Sequence, residues 1–179
     1  IDEYLGYYVS CYGEKLDDAL YRLIWFRAED AYNLPVTVEA EDIAPDTTTD
    51  CLRYYSAGRE KSISLPKNLV YIYNGVVASR SDAFLKPEIG SVTLICDKGN
   101  YFAAIIRSFD TIYVGSISYY TGEIRDKYFV DKTYVLDDKS CTYTIYSDGK
   151  KVPLTQVYQN RVLSIAESAG EKKHYTVYV

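Results

Sequence analysis

The chain has only one histidine, and therefore one candidate imidazole base for nucleophilic or acid–base chemistry. Its single histidine, His174, lies in the segment KKHYTVYV beside Lys172 and Lys173. A Ser-His-Asp or Cys-His arrangement would have to use this one imidazole. The sequence contains no G-x-S-x-G, no phosphate-binding loop and no dinucleotide fingerprint. We therefore predict that the protein is not an enzyme, and we assign no catalytic residue.

Metal and cofactor sites also lack a sequence signal. Carboxylates occur side by side as Asp17-Asp18, Glu41-Asp42 and Asp137-Asp138, but neighbours in sequence point apart on a strand and about 100° apart on a helix. There is no C-x-x-C pair and no D-x-D-x-D-G calcium loop. We predict no metal and no cofactor.

Four widely spaced cysteines, Cys11, Cys51, Cys96 and Cys141, suit two disulfides in a secreted protein. The alternative is four reduced core thiols, because free cysteine is readily buried. Four cysteines allow three connectivities, and the sequence does not choose among them. The chain starts at Ile1 and lacks methionine, so we expect either removal of a signal peptide or a trimmed end. Together these features predict an extracellular location.

Composition narrows the classes of partner. The 179 residues are 47% hydrophobic and 25% charged, as in globular proteins, and no apolar stretch is long enough to cross a membrane. A net charge of −5 argues against nucleic acid as the main partner. Residues 1–50 carry 12 acidic and 3 basic side chains, whereas residues 51–179 carry 13 and 17. The acidic segment favours a basic partner, or it is simply a solvated surface.

Tyrosine is unusually abundant, with 21 copies against five phenylalanines and one tryptophan. Tyrosine fits a half-buried pleat, so one interpretation is a sheet built from tyrosine. It also provides a large contact area with few rotamers to freeze, which suits a recognition surface. On the second interpretation the candidate binding residues are Tyr113, Tyr119, Tyr143 and Trp25.

The N-terminal third contains the one predicted helix. In residues 14–30 the side chains Leu16, Leu20, Leu23 and Ile24 follow a 3.6-residue period. The segment LYRLIWF also fits a strand, since it is rich in aromatic and aliphatic residues. Residues 1–66 are thus predicted as a helix followed by an irregular acidic segment, within a single domain covering residues 1–179.

Residues 67–179 predict an antiparallel meander of about ten short strands. Asn74-Gly75, Asp97–Asn100 and Ser147–Lys150 separate β-rich segments and are typical of hairpin turns. Gly115 within TIYVGSISYY predicts a bulge, and Pro153 predicts an edge strand or a bulge. The fold class is therefore mainly β, a barrel or a sandwich with one short N-terminal helix.

One feature resembles a known family. Lipocalins are secreted meander barrels that open with Gly-x-Trp, and Gly6-Tyr7-Tyr8 resembles this motif with Tyr8 in place of tryptophan. The end of the chain differs, because it predicts strand where a lipocalin has a helix. The leading prediction is a secreted, non-enzymatic protein that binds a protein or glycan through a tyrosine-rich β surface. The alternative is a lipocalin-like barrel that carries a small apolar or amphipathic ligand.

Overall fold

The computed structural model describes residues 4–137 and 139–179, and the chain is mainly β. Its first strands are β1 (Val9–Asp17), β2 (Leu20–Ala28), β3 (Leu34–Glu39), β4 (Cys51–Ser56), β5 (Arg59–Ser64), β6 (Val70–Tyr73), β7 (Val76–Ala78), β8 (Gly90–Asp97) and β9 (Asn100–Ser108). The remaining strands are β10 (Asp110–Ser118), β11 (Glu123–Asp126), β12 (Thr133–Val135), β13 (Thr142–Ser147), β14 (Lys150–Val152), β15 (Val162–Glu167) and β16 (His174–Tyr178).

From residue 5 onward, helical structure in the described part of the chain is limited to three short 3-10 turns, Asp30–Tyr32, Ala40–Asp42 and Leu154–Gln156. None of these helices is long and apolar enough to span a membrane. Asp138, one member of the carboxylate pair Asp137-Asp138, lies outside the described residues.

The strands form two large open sheets and two separate hairpins. A five-stranded sheet has the order β3-β8-β9-β6-β7, and a seven-stranded sheet has the order β12-β11-β10-β15-β16-β13-β14. The hairpins are β1-β2 and β4-β5. Phe109 alone separates the last strand of the first large sheet from the first strand of the second. We call residues 34–108 the first half and residues 110–179 the second half.

The two halves repeat one topology. In the first half, β3 pairs antiparallel with β8, β8 with β9, and β6 with β7, while β6 and β9 are parallel. In the second half, β10, β15, β16, β13 and β14 make the same sequence of pairings, and β13 and β16 are again parallel. The chain therefore contains an internal structural repeat that its residue pattern does not reveal.

Each half has its own hydrophobic core. Alternate residues of a strand point to opposite faces, so every second side chain reaches the core. The core of the first half contains Val38, Leu52, Leu65, Leu69, Tyr71, Leu85, Val92, Leu94, Ala104 and Ile106. The core of the second half contains Ile112, Val114, Ile124, Leu136, Cys141, Ile145, Leu154, Val157, Leu163, Ile165, Tyr175 and Val177.

The predicted hairpin turns are confirmed. Asn74-Gly75 joins β6 to β7 with φ of 46° and 82°, and both central residues of a type I′ turn need positive φ. The turns at Asp97–Asn100 and Ser147–Lys150 likewise join paired strands. Gly115 lies at a register shift between β10 and β11, where an added Cβ would be 2.7 Å from Lys127 Cα. The register shift confirms the predicted bulge. The close approach of the Lys127 backbone leaves no room for a side chain at residue 115, which explains the glycine.

Pro153 does not lie within a strand. It directly follows β14, which is the edge strand of the seven-stranded sheet, and it precedes the turn Leu154–Gln156. Proline lacks the N–H that would continue the strand ladder, so the edge strand ends here.

The predicted N-terminal helix is wrong. Residues 14–30 instead contribute to the antiparallel hairpin β1-β2, which turns at Asp18-Ala19 and which we call the arm. The 3.6-residue period of Leu16, Leu20 and Leu23 needs a surface to bury it, and these three side chains are exposed. The aromatic and β-branched residues of LYRLIWF adopt the extended conformation that they favour.

A closed barrel and a purely antiparallel meander are also not observed. Both large sheets are open, with β3 and β7 at the edges of one and β12 and β14 at the edges of the other. The parallel pairs β6-β9 and β13-β16 arise because each connecting segment contains two further strands, β7 and β8 in one case and β14 and β15 in the other. Such a connection is long enough to bring the chain back in the same direction, which a short hairpin turn cannot do.

The two predicted disulfides are absent. Cys11, Cys51, Cys96 and Cys141 are all free thiols. Cys11 lies in the arm, Cys51 in β4, Cys96 in β8 and Cys141 in the core of the second half. The even number of cysteines suggested disulfides, but the fold places the four residues in different elements. The thiol of Cys141 is buried and donates to the carbonyls of Val135 and Asp137, at 3.5 and 3.4 Å. The alternative interpretation, four reduced core thiols, holds only in part: Cys96 and Cys141 are buried, whereas Cys51 is half-buried and Cys11 is exposed.

Candidate binding groove

The five-stranded sheet has a groove on the face opposite the core. Its floor contains Thr37 of β3, Thr93 of β8, Ile105 of β9 and Ile72 of β6. Thr37 and Thr93 are directly opposite in the strand register, and their hydroxyl oxygens are 3.0 Å apart. The floor therefore offers paired hydroxyl groups beside aliphatic side chains.

The segment before the arm forms one wall of the groove. Leu5 and Tyr7 line this wall, and Gly6 between them lies against the sheet. Gly6 has a φ of +90°, and an added Cβ would be 2.6 Å from Ile72 Cδ1 and 3.4 Å from Ile105 Cγ1. The positive φ favours glycine here, and the missing side chain lets this segment lie close to the floor.

The second half of the chain provides the opposite wall. Phe109, Thr176 and Tyr178 line it. The ring of Tyr178 stacks on Tyr146 at 5.6 Å between centroids and meets Phe109 edge to face at 5.9 Å. These contacts hold the Tyr178 ring in place, while 45% of the residue remains exposed.

The groove has a volume of about 590 Å³ and carries both signs of charge. Glu39 and Arg107 line it, both are exposed, and neither forms an ion pair with any described residue. Glu39 ends β3 and directly precedes the turn Ala40–Asp42, which adds Glu41 and Asp42 and contains no basic residue. The arrangement can accept hydrogen bonds, donate them from hydroxyl groups and stack on aromatic rings, but it contains no nucleophile paired with a base.

The binding residues predicted from sequence lie elsewhere. Tyr113 on β10 contacts the ring of Tyr128 at 5.5 Å, and Lys127 Nζ lies 5.0 Å from its ring centroid. Tyr119 follows β10, and its hydroxyl donates to the Val157 carbonyl at 2.8 Å. These two tyrosines therefore have structural contacts within the second half, and neither lines the groove.

Tyr143 and Trp25 occupy two further places. Tyr143 lies on β13, partly buried against the core of the second half. Trp25 lies half exposed on the arm, where the Arg27 guanidinium is 5.8 Å from its ring centroid. The four predicted residues are thus divided between the arm and the second half, and their role in binding stays a prediction.

A second exposed aromatic feature is the loop of residues 127–132, which we call the aromatic loop. Tyr128, Phe129 and Val130 are 68%, 67% and 89% exposed. Asp126 fixes this loop, since its carboxylate accepts hydrogen bonds from the N–H groups of Tyr128 and Phe129 at 2.7 and 2.9 Å. The loop is therefore held in one conformation while its apolar side chains face solvent.

The pKa of Asp126 is lowered by these contacts. Burial acts to raise the pKa, but the N–H donors of Tyr128, Phe129 and Tyr113, together with nearby Lys132, outweigh it. The pKa of Asp110 is lowered in the same way, because burial is outweighed by hydrogen bonds from Lys132 and Tyr134. Both carboxylates thus stabilise the seven-stranded sheet in their ionised form.

Acid is therefore expected to destabilise the second half. Because the folded pKa values lie below the unfolded values, the stability that these carboxylates contribute is complete above about pH 5 and is lost as the pH falls through the folded values. Asp126→Asn should have a lower free energy of unfolding at neutral pH and should lose less of it as the pH falls from about pH 5 to about pH 2, measured by thermal unfolding.

Asp131→Asn, in the same loop, is the control and should keep the wild-type stability at neutral pH. The same steepness of acid unfolding in Asp126→Asn and the wild type would contradict the assignment to Asp126.

The imidazole of His174 and the Tyr134–Asp110 pair lie in the seven-stranded sheet and do not line the groove. His174 Nδ1 lies 2.8 Å from the Thr142 hydroxyl, within the parallel pair β13-β16. The Tyr134 hydroxyl donates to Asp110. Burial, and to a lesser extent this hydrogen bond, raises the pKa of Tyr134, so the hydroxyl keeps its proton. In the described residues, no group of three or more His, Cys, Asp or Glu side chains could hold a metal ion.

Sequence reasoning did not identify the groove. The brief alternation of VTVE in β3 and SVTLI in β8 was the available signal, because it places Thr37 and Thr93 on the face opposite the core valines. The walls carry no local signal, since Tyr7 and Tyr178 come from opposite ends of the chain.

Comparison with known proteins gives no match for this chain, whether among family models, curated proteins or solved structures.

Proposed function

We propose that this chain is a binding protein without catalytic chemistry that holds a macromolecular partner, protein or glycan, in the groove of the five-stranded sheet. The observation that carries the proposal is the combination of a hydroxyl-bearing sheet floor with two walls that present Tyr7 and Tyr178. Aromatic rings held by packing provide contact area at a low entropic cost, and hydroxyl groups provide hydrogen bonds that fix orientation.

The shape of the groove favours an extended ligand. Its floor crosses four neighbouring strands, from Thr37 on β3, which is exposed, to Ile72 on β6, which is buried beneath Gly6. Glu39 lies on β3 at one side, and Arg107 lies on β9, two strands away. A ligand that lies across the strands would therefore meet a carboxylate and a guanidinium at separate points.

The charge distribution favours a partner with basic groups near β3. Glu39, Glu41 and Asp42 are exposed and have no ion pair with a described residue. A basic group of the partner would pair with them at the edge of the groove, where exposed charges chiefly affect the association rate and specificity. The small-molecule carrier has less support, because its premise was a closed barrel and both large sheets are open.

A secreted location stays a prediction. The four cysteines were its main support, and their thiols are free. Alkylation of the protein isolated from its native source, followed by mass spectrometry, measures directly whether any of the four thiols is oxidised there.

The groove is tested by filling its floor. Thr93→Arg places a long side chain between the walls and is expected to weaken binding at least about tenfold, since it displaces the ligand from a closely packed contact. Thr133→Arg, on the exposed edge strand β12, is the matched control and should bind as the wild type does.

The probes are a panel of oligosaccharides and a library of random decapeptides that includes lysine- and arginine-rich members. Binding to one class that Thr93→Arg removes and Thr133→Arg retains supports the proposal. Failure of every probe to bind, or equal binding by Thr93→Arg, contradicts it.

A further inference from the structure

The arm, residues 9–28, is exposed along its whole length. Large apolar residues on both of its strands are exposed, among them Tyr12, Leu16, Leu20, Tyr21, Ile24 and Trp25. At its base Phe26 meets Tyr4 at 5.2 Å between ring centroids, and just outside the arm Glu29 N donates to the Tyr8 carbonyl at 3.1 Å and so joins the two flanking segments. A two-stranded hairpin is marginally stable by itself in water, and further strands or packing are needed for stability.

The two outer edges of the arm differ. β1 pairs residue for residue from Val9 to Tyr12, and the extra residue at the middle of the hairpin, Ile24, belongs to β2. A bulge interrupts the outer ladder of the strand that carries it, and it is one of the devices that protect edges. β1 has no proline, and its own irregularity comes only at Leu16 near the tip. In the described residues, β1 pairs with β2 alone, so its outer edge is free.

The charges of β1 favour antiparallel pairing with an identical strand. The charged residues of β1, Glu14, Lys15 and Asp17, all lie towards its C-terminal end, and Val9–Tyr12 contains no charge. Antiparallel pairing of two β1 strands places each charged end beside the uncharged end of the other strand, whereas parallel pairing aligns like charges. The arm as a whole has three acidic and three basic side chains, in a chain of net charge −5. Two arms can therefore meet without net repulsion, while the acidic bodies stay apart.

We propose that β1 pairs antiparallel with β1 of a second copy of this chain. The two arms then form a four-stranded sheet in which the β1 strands are central and the β2 strands lie at the edges. Cys11, Tyr12 and Gly13 lie near the two-fold axis. The partner strand is β1 of a second copy for three reasons. The arm has no net charge, the outer edge of β1 is regular and unpaired in the described residues, and an antiparallel β1 places its uncharged end beside the charged end of the first.

Cysteine cross-linking in the full chain tests which edge is shared. In a Cys51→Ser background, Cys11 is the one exposed thiol, and a short bismaleimide should link two copies through it. In a Cys11→Ser, Cys51→Ser background with Ile24→Cys, the new thiols lie on the β2 strands, three strand spacings or about 14 Å apart, and should link little. Linking through position 24 and not through Cys11 overturns the proposal.

Analytical ultracentrifugation measures the association itself. The wild-type chain is expected to dimerise, and Tyr12→Lys, which places two lysines near the two-fold axis, should weaken the dimer about tenfold. Tyr120→Lys, in a turn of the second half where the residue is 99% exposed, should leave it unchanged. A monomer at every concentration overturns the proposal, and the arm would then be a binding surface for a different macromolecule. A dimer that Tyr12→Lys does not weaken overturns it as well.

Discussion

Replacing Gly90 by alanine is expected to lower the free energy of unfolding by about 4 kcal/mol, because the substitution combines backbone strain with a steric clash. Gly90 begins β8 with a φ of +126°, where L-residues are strained. An added Cβ would also lie well inside van der Waals contact with the Arg107 carbonyl, which belongs to the neighbouring strand β9. The backbone at Arg107 cannot move away from this Cβ without disrupting the pairing of β8 with β9.

Gly99→Ala is the matched control. Gly99 also has a positive φ, +85°, but nothing lies within 4 Å of its added Cβ. Its cost should be the strain alone, about 1 kcal/mol. Urea unfolding of the two variants measures the difference, and equal losses in both would contradict the clash at Gly90.

Replacing Asn74 by alanine is expected to cost about 3 kcal/mol, since one side chain ties the two halves together. Asn74 Nδ2 donates to the Ser108 carbonyl at 3.0 Å and to the Glu167 carbonyl at 2.8 Å. Its Oδ1 accepts from Ser108 N at 2.9 Å. Alanine removes all three hydrogen bonds and keeps the positive φ of the turn.

The structural repeat provides the control. Asp148 occupies the corresponding turn between β13 and β14, has a φ of 50°, and makes no side-chain hydrogen bond to a described residue. Asp148→Ala should therefore cost only about 1 kcal/mol. Hydrogen exchange adds a local measurement, because the Ser108 amide should lose protection in Asn74→Ala and keep it in Asp148→Ala. Unchanged protection of Ser108 in Asn74→Ala would contradict the hydrogen bond that its amide donates to Asn74, and an unchanged free energy of unfolding would contradict the stabilising contact with the Glu167 carbonyl.

Turn chemistry is the part of this fold that the sequence determined by itself. Asn74-Gly75 and Asp148-Gly149 specify hairpins because positive φ is a local property of two residues. Gly115 similarly marks a bulge that the structure contains. These local features, together with the alternation of apolar residues, were sufficient to predict a mainly β protein.

The N-terminal segment shows where local pattern fails. The residues Leu16, Leu20, Leu23 and Ile24 satisfy a helical period, while the run Ile24-Trp25-Phe26 favours a strand. The choice depends on whether a surface exists to bury the helical face, and the body of the protein offers none, so the segment pairs with β1 instead.

Long-range pairing decided the rest. The parallel contacts of β6 with β9 and of β13 with β16 join strands about 30 residues apart, and the positions of Cys11, Cys51, Cys96 and Cys141 follow from which strands are neighbours. The groove depends on the same pairings, because Tyr7, Thr93 and Tyr178 meet only after both halves have folded. Sequence pattern acts over a few residues, whereas the site is assembled from side chains some 170 positions apart, and only the tertiary structure brings them together.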